Sequence, residues 1–204
     1  MFRPFLTAFS GTAVEFFETM AIAYAILRAG YPREAISATV IGHVLVFISA
    51  IFLWPAHTLI PIFWFRLVAA SLLTLMGFYW TVKSLRRSSV GQRPRWATDP
   101  LGKVGVVPSG AVTNFSTPVF LVMLKSSVVE ALEILLVVFP IGAATGAWPG
   151  IVAGVGLAIA VVTLGVILLH GQLKRVPEVR LKLATGLLLF AIGLSWLFEL
   201  TNSK

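Results

Sequence analysis

The sequence contains no cysteine. Disulfides, thiolate metal sites and thiol redox chemistry are therefore excluded, while the compartment stays open. Charge is also scarce. Asp, Glu, Lys and Arg make up 12% of the residues against 58% hydrophobic, and the mean hydropathy is +0.94. A water-soluble domain of 204 residues would need far more polar surface, so the composition belongs to the membrane class. Enzyme signatures are missing: there is no Gly-x-Ser-x-Gly, no His-Glu-x-x-His and no phosphate loop, and the Glu-x-x-Glu motifs described below lack the His of the di-iron pattern. Nor does Met1-Phe2-Arg3-Pro4 open a signal peptide, since no basic n-region leads into a short apolar run with a small-residue cleavage site, and the first hydrophobic segment is expected to be retained. The expectation is a non-enzyme without a cofactor.

What is present is a series of long apolar stretches. A span needs about 20 apolar residues, and the breaks at Gly, Pro and basic clusters leave six candidates: 4 to 28, 34 to 54, 62 to 84, 115 to 140, 148 to 169 and 182 to 200. The long polar stretch between the third and fourth reads as a basic cytoplasmic linker, 85–110. It separates a first three-helix unit, 1–84, from a second, 111–204. The formal net charge of +8 would suit nucleic acid, but its distribution points to topology instead. Arg28 and Arg33 follow the first span. Lys83, Arg86, Arg87, Arg93, Arg95 and Lys103 follow the third, and Lys174, Arg175, Arg180 and Lys182 precede the sixth. Six spans put all three loops on one side, which the positive-inside rule makes cytoplasmic. Both termini are then expected outside, the membrane being a bacterial inner membrane. The partners expected are lipid, a cation and protons rather than nucleic acid; a homo-oligomer stays open.

The chain also matches itself. At an offset of 115, Val14-Glu15-Phe16-Phe17-Glu18 aligns with Val129-Glu130-Ala131-Leu132-Glu133; at 116, Arg66 aligns with Lys182, Gly77 with Gly193 and Trp80 with Trp196. Three spans per half is an odd number, so the second half enters the membrane from the opposite side. The fold expected is therefore all-α and polytopic, with six transmembrane helices as a 3+3 inverted repeat. Such repeats are a hallmark of transporters, whose sites lie near the midplane where the halves meet.

Glu15 and Glu18 fall in the middle of the first span, Glu130 and Glu133 near the middle of the fourth. A carboxylate at that depth costs roughly 2.5 to 3.5 kcal/mol by insertion scales, so all four together need compensation. Residues three apart share a helix face, and the repeat would bring both pairs to one centre. Four convergent carboxylates form a hard-oxygen cage suited to a divalent or trivalent cation, and part of the cage is expected to hold protons that cation binding releases. Two plainer readings stand beside this one: protonated Glu as an interhelical hydrogen-bond partner, and neutralisation by Lys125 or Arg66. His43, Thr19 and Ser127 are candidate accessory ligands, as are Ser10, Thr12 and Ser126 in the same stretches. His43 aligns with Ala158 and so cannot be a symmetric ligand, and hydroxyls in spans more often serve tight packing. Gly77, Gly193 and the Gly150-x-x-x-Gly154 spacing with Ala153 read as close-packing sites. Trp54, Trp80 and Trp196 read as interfacial belt residues, and His57 and His170 as interfacial.

At Val14 to Glu18 and Val129 to Glu133 the sequence resembles the iron/lead transporter group, the oxidase-dependent iron permeases, which carry Arg-Glu-x-x-Glu motifs on their first and fourth helices. It is also similar to the wider superfamily of small inverted-repeat cation transporters. The permeases' Arg is replaced here by Val14 and Val129, and their seventh helix is missing. The resemblance implies that Glu15, Glu18, Glu130 and Glu133 are metal ligands and that the cargo is a metal cation, iron or manganese being favoured. Two rival readings remain: an exporter of a small organic cation or amino acid, and a non-transporting membrane subunit.

Overall fold

The computed structural model describes residues 2–53, 55, 59, 61–91, 114–168 and 177–202. These residues form six helices and no strand: α1 Phe2–Arg28, α2 Pro32–Leu53, α3 Ile62–Val90, α4 Thr117–Thr145, α5 Trp148–Leu168 and α6 Glu178–Asn202. Four of them, α2, α3, α5 and α6, are long and apolar enough to cross a membrane. The other two are α1 and α4, which carry the Glu pairs. Large apolar side chains such as Phe47, Phe52, Leu75, Val152, Ile167 and Phe198 stand exposed on the outer helices. A sheath of that kind suits a lipid surrounding, where it is matched rather than penalised.

The helix ends depart from the apolar limits in instructive places. α3 runs on past residue 84 to Val90, so Arg86 and Arg87, assigned above to the linker, are helical. Propagation adds one hydrogen bond per residue whatever the polarity, and the helix stops only where Gly91 turns left-handed at φ 63°. α4 likewise passes the expected stop at Pro140 and continues to Thr145, because Ile141 and Ala144 in its last turns are buried in the core. Residues 92–113, with Arg93, Arg95 and Lys103, lie outside the described residues, as do Trp54, His57, His170, Lys174 and Arg175.

α1 lies at the middle of the bundle, packed on α2, α4, α5 and α6. Ile22 and Ile26 of α1 join Ala35 and Ala38 of α2 with Val119 and Met123 of α4 in one core cluster. Ala8, Leu73, Trp80, Val137, Ile141, Ile151 and Leu189 form a second, and Phe16, Val162 and Val166 a third. These contacts set helix directions. On α1 and α5, Gly154 meets Phe5 and Phe9 while Phe16 meets Val162 and Val166, so the two run parallel. α2 and α4 also run parallel, from Glu34 beside Ser116 to Gly42 on Ser127. α1 and α4 are antiparallel, with Ile22 and Ile26 near Val119 and Met123 and Gly11 against Val137.

Lipid is as apolar as a Leu side chain, so helices in a membrane are held by close van der Waals fit between small residues. α3 and α6 show this most fully. A Cβ on Gly77 would strike the Phe190 backbone nitrogen and come within 2.7 Å of the Gly186 carbonyl oxygen; one on Gly193 would stand 2.5 Å from the Thr74 nitrogen and 2.9 Å from the Ala70 carbonyl oxygen. Gly154 makes a similar approach to the Phe5 carbonyl, 2.7 Å from a virtual Cβ, but Ala153, read above as a packing residue, is exposed. One residue along a helix is about 100° of rotation, enough to turn Ala153 off the contact. Glu34, buried at the start of α2, accepts a 2.6 Å hydrogen bond from the Ser116 N–H. A carboxylate there answers both the unpaired donors and the positive end of the α4 dipole.

Candidate functional site

The crossing of α1 and α4 builds the site. With Gly11 set against Val137, whose Cγ1 a Cβ on Gly11 would meet at 3.3 Å, across an antiparallel interface, the two Glu pairs come opposite one another. Glu15, Glu18 and Glu130 each present a carboxylate oxygen, all within 4.8 Å of one another. Glu15 is fully buried and Glu18 nearly so. Glu130 is half-buried as a residue, with its Oε2 shielded from solvent, and Glu133 stands at the rim with a side chain 28% exposed.

Carboxylates packed so closely need a countercharge. The residue that supplies it is Lys182. Its Nζ donates to Glu15 Oε2 at 3.2 Å and to Glu18 Oε1 at 3.0 Å, lies 4.0 Å from Glu133 Oε2, and sits 4.9 Å above the Trp80 ring. The earlier assignment of Lys182 to a basic loop is therefore corrected: it is a buried residue inside α6. Neutralisation falls to it rather than to Lys125, which is exposed, or Arg66, which lines a separate cavity with Thr145, Trp196 and Glu199. Trp80 is corrected with it. It is 1% exposed, packed beneath the lysine rather than placed in an interfacial belt, because α3 continues ten residues beyond it. The sequence did hold a signal for Lys182. It is the first residue of the sixth apolar stretch and aligns with Arg66 in the repeat.

No protein-family model, curated protein or solved structure matches this chain. The chemistry of the site therefore rests on its own residues.

Two hydroxyls complete the arrangement. Thr12 and Ser127 are related by the offset of 115, each three residues before the first Glu of its pair, and are 1% and 0% exposed. Thr7, Thr19, Thr39, Thr74 and Thr145 all donate to the carbonyl four residues back in their own helices. That is the usual way to satisfy a hydroxyl in a helix. The hydroxyls of Thr12 and Ser127 make no such bond and have no partner among the described residues. Each repeat thus places a hydroxyl and two carboxylates at successive three-residue steps, each the surface neighbour of the next along the helix, and all three offer oxygen, the donor a hard cation takes. Thr19, the accessory candidate on α1, is buried but spends its hydroxyl on the Glu15 carbonyl at 3.4 Å.

His43 does not join the carboxylate group. Its Nδ1–H donates to the Thr39 carbonyl at 2.9 Å, which leaves the buried Nε2 without a partner among the described residues, and Phe16 packs edge-on at 5.4 Å. The ring lines an apolar cavity of about 790 Å³ enclosed by α1, α2, α4 and α5. Thr12 lines the same cavity.

If the hydroxyls are ligands, the paired replacement Thr12→Val with Ser127→Ala should weaken cation binding about tenfold and leave thermal stability unchanged or improved. Removing an unsatisfied buried hydroxyl relieves a desolvation penalty, whereas removing a ligand oxygen costs affinity. Titration calorimetry and thermal unfolding of the same detergent-purified sample would measure both.

Proposed function

We propose that this chain is a membrane transporter of a metal cation, with iron or manganese as the favoured cargo, in which Glu15, Glu18, Glu130 and Glu133 serve as ligands and proton acceptors. One observation carries the reading. The carboxylates of two different helices converge in a buried centre and hold a cation there already, the ammonium of Lys182. A centre that binds one monovalent cation on oxygen donors alone has the chemistry for a harder, more highly charged one. Glu15 and Glu18 are buried within the bundle, whereas a subunit that used them to bind a partner helix would present them outward.

The reading includes a 3+3 inverted repeat with basic loops in the cytoplasm of a bacterial cell and alternating access between the halves. Its support is the way contacts exchange. α1 packs parallel on α5 as α4 packs parallel on α2, and α1 and α4 cross antiparallel at the Glu pairs. Gly77 meets Gly186 and Phe190, and Gly193 meets Ala70 and Thr74, which are the same positions moved by 116. An in-plane two-fold relating the halves accounts for all of these at once.

A second reading, export of a small organic cation or amino acid, is favoured by one feature. The occupant of the cage is an organic ammonium lying on an aromatic ring, an arrangement worth roughly 0.5–2 kcal/mol. Calorimetry on the purified protein with iron, manganese, calcium and zinc separates the two. The metal reading expects saturable, one-to-one binding of at least one of them. No heat with any metal, together with binding of a primary amine, would replace it by the organic carrier.

A further inference from the structure

Lys182 is the countercharge of the carboxylates, and in that role it holds the oxygens that a cargo cation would need. Its Nζ is within 3.2 Å of both Glu15 and Glu18, the two best-buried members of the carboxylate trio. A cargo cation ligated by Glu15 and Glu18 would stand beside that ammonium, and the repulsion between the two charges favours one occupant at a time. The lysine also arrives from a different part of the fold. Glu15, Glu18, Glu130 and Glu133 belong to α1 and α4, whereas Lys182 and the Trp80 ring beneath it belong to α6 and α3. Those two helices are the most extensively packed pair in the bundle, locked by backbone approaches at Gly77, Gly186 and Gly193, while α6 touches α1 far more sparsely. The carboxylates and the lysine thus stand on different helices, α1 and α4 against α6, and their ion pairs cross between helices that also share one apolar core cluster.

We infer that Lys182 is a tethered competitor of the cargo: its ammonium occupies the cage when no cation is bound and leaves it when one binds, so that cargo and lysine hold Glu15 and Glu18 in turn. This rests on the reading of the site as a cation site. The fully buried hydroxyls of Thr12 and Ser127, each three residues before the first Glu of its pair and without a partner among the described residues, are a second feature beside the carboxylates that a ligand would satisfy. Withdrawal would use the lysine's own flexibility. Lys182 lies in the second turn of α6, and its flexible four-carbon stem gives the ammonium reach toward that end of the helix, where Arg180 stands exposed. The consequence for transport is a charge substitution. With the lysine seated, the unloaded centre keeps a cation on its carboxylates and can change its facing without carrying bare negative charge through the membrane; with the lysine displaced, the cargo fills that role.

The test compares cation binding and vesicle uptake for full-length wild type, Lys182→Met and Lys182→Arg, using whichever metal binds wild type most tightly. Lys182→Met should bind that metal about tenfold or more tightly, since no tethered charge competes, yet take it up more slowly than wild type because the unloaded protein cannot reset. Lys182→Arg should bind it more weakly, since a guanidinium can hold two carboxylates at once and releases them less readily. Should Lys182→Met fail to fold with its carboxylates unpaired, the arginine variant decides: weaker metal binding supports competition, and binding equal to or tighter than wild type overturns it. Unchanged or weaker binding in a folded Lys182→Met overturns the inference while leaving the cation site standing. Absence of metal binding in all three proteins removes the cation-site reading itself.

Discussion

Replacing Glu15 by Gln should abolish metal uptake and weaken metal binding about a thousandfold, in a protein that still folds. Glu15 is the one member of the cage that is fully buried, and it faces both Glu18 and Glu130. Two unit charges about 4 Å apart interact by roughly 4 kcal/mol at the effective dielectric of a protein site, and every 1.4 kcal/mol is tenfold in affinity. Gln keeps the volume and one carbonyl oxygen, so packing is preserved and only charge is lost. Folding should survive for a second reason: Lys182 retains Glu18 at 3.0 Å and Glu133 at 4.0 Å, and one like-charge repulsion disappears from the cluster. Uptake into vesicles, calorimetry and a thermal melt on one preparation check all three parts. Metal uptake at the wild-type rate in this variant would remove Glu15 from the site.

The double replacement Gly77→Val with Gly193→Val should have the largest effect on the fold. Besides the Thr74 hydroxyl next to Gly193, the atoms that the new side chains would meet are backbone atoms of the facing helix, which cannot rotate aside as a side chain would. Overpacking a tight contact costs about 1–3 kcal/mol per site. Here both sites open the same interface, so the two changes act together. The separation of α3 from α6 also moves Trp80 and Lys182 relative to the carboxylates, so binding should change along with stability. Each single variant should destabilise by a similar amount, since Gly77 and Gly193 face equivalent partners. Thermal unfolding in detergent measures it, with Gly156→Ala as the control, because nothing lies within 4 Å of a Cβ on Gly156. Equal melting temperatures for the control and the double variant would contradict the packing argument.

Much of this molecule was legible in its sequence because the relevant physics is local. Long apolar stretches bounded by Gly, Pro and basic residues become helices wherever they sit, and all six appear in the order read. Where the ends differ, at Val90 and Thr145, the reason is also local: helix propagation outlasts hydrophobicity, and Pro140 is tolerated when the turn beyond it is buried. The Glu pairs announced themselves by rarity, four carboxylates in a chain with eight acidic residues.

The partners of those groups were not legible, since they depend on contacts between residues far apart in sequence. Lys182 is 164 residues from Glu18, and a positively charged residue at the head of an apolar stretch looks the same whether it snorkels to a membrane surface or turns inward onto carboxylates. Trp80 looked interfacial until α3 proved to run ten residues past it. Thr12 and Ser127 could be counted as hydroxyls near Glu, but only the structure shows that they forgo the backbone bonds their counterparts make. By itself the sequence determined the helices, their apolar faces and the carboxylates that must be hidden. Which cation hides them was decided by tertiary packing, because the glycine contacts that pin α6 to α3 are what carry the Lys182 ammonium to the centre.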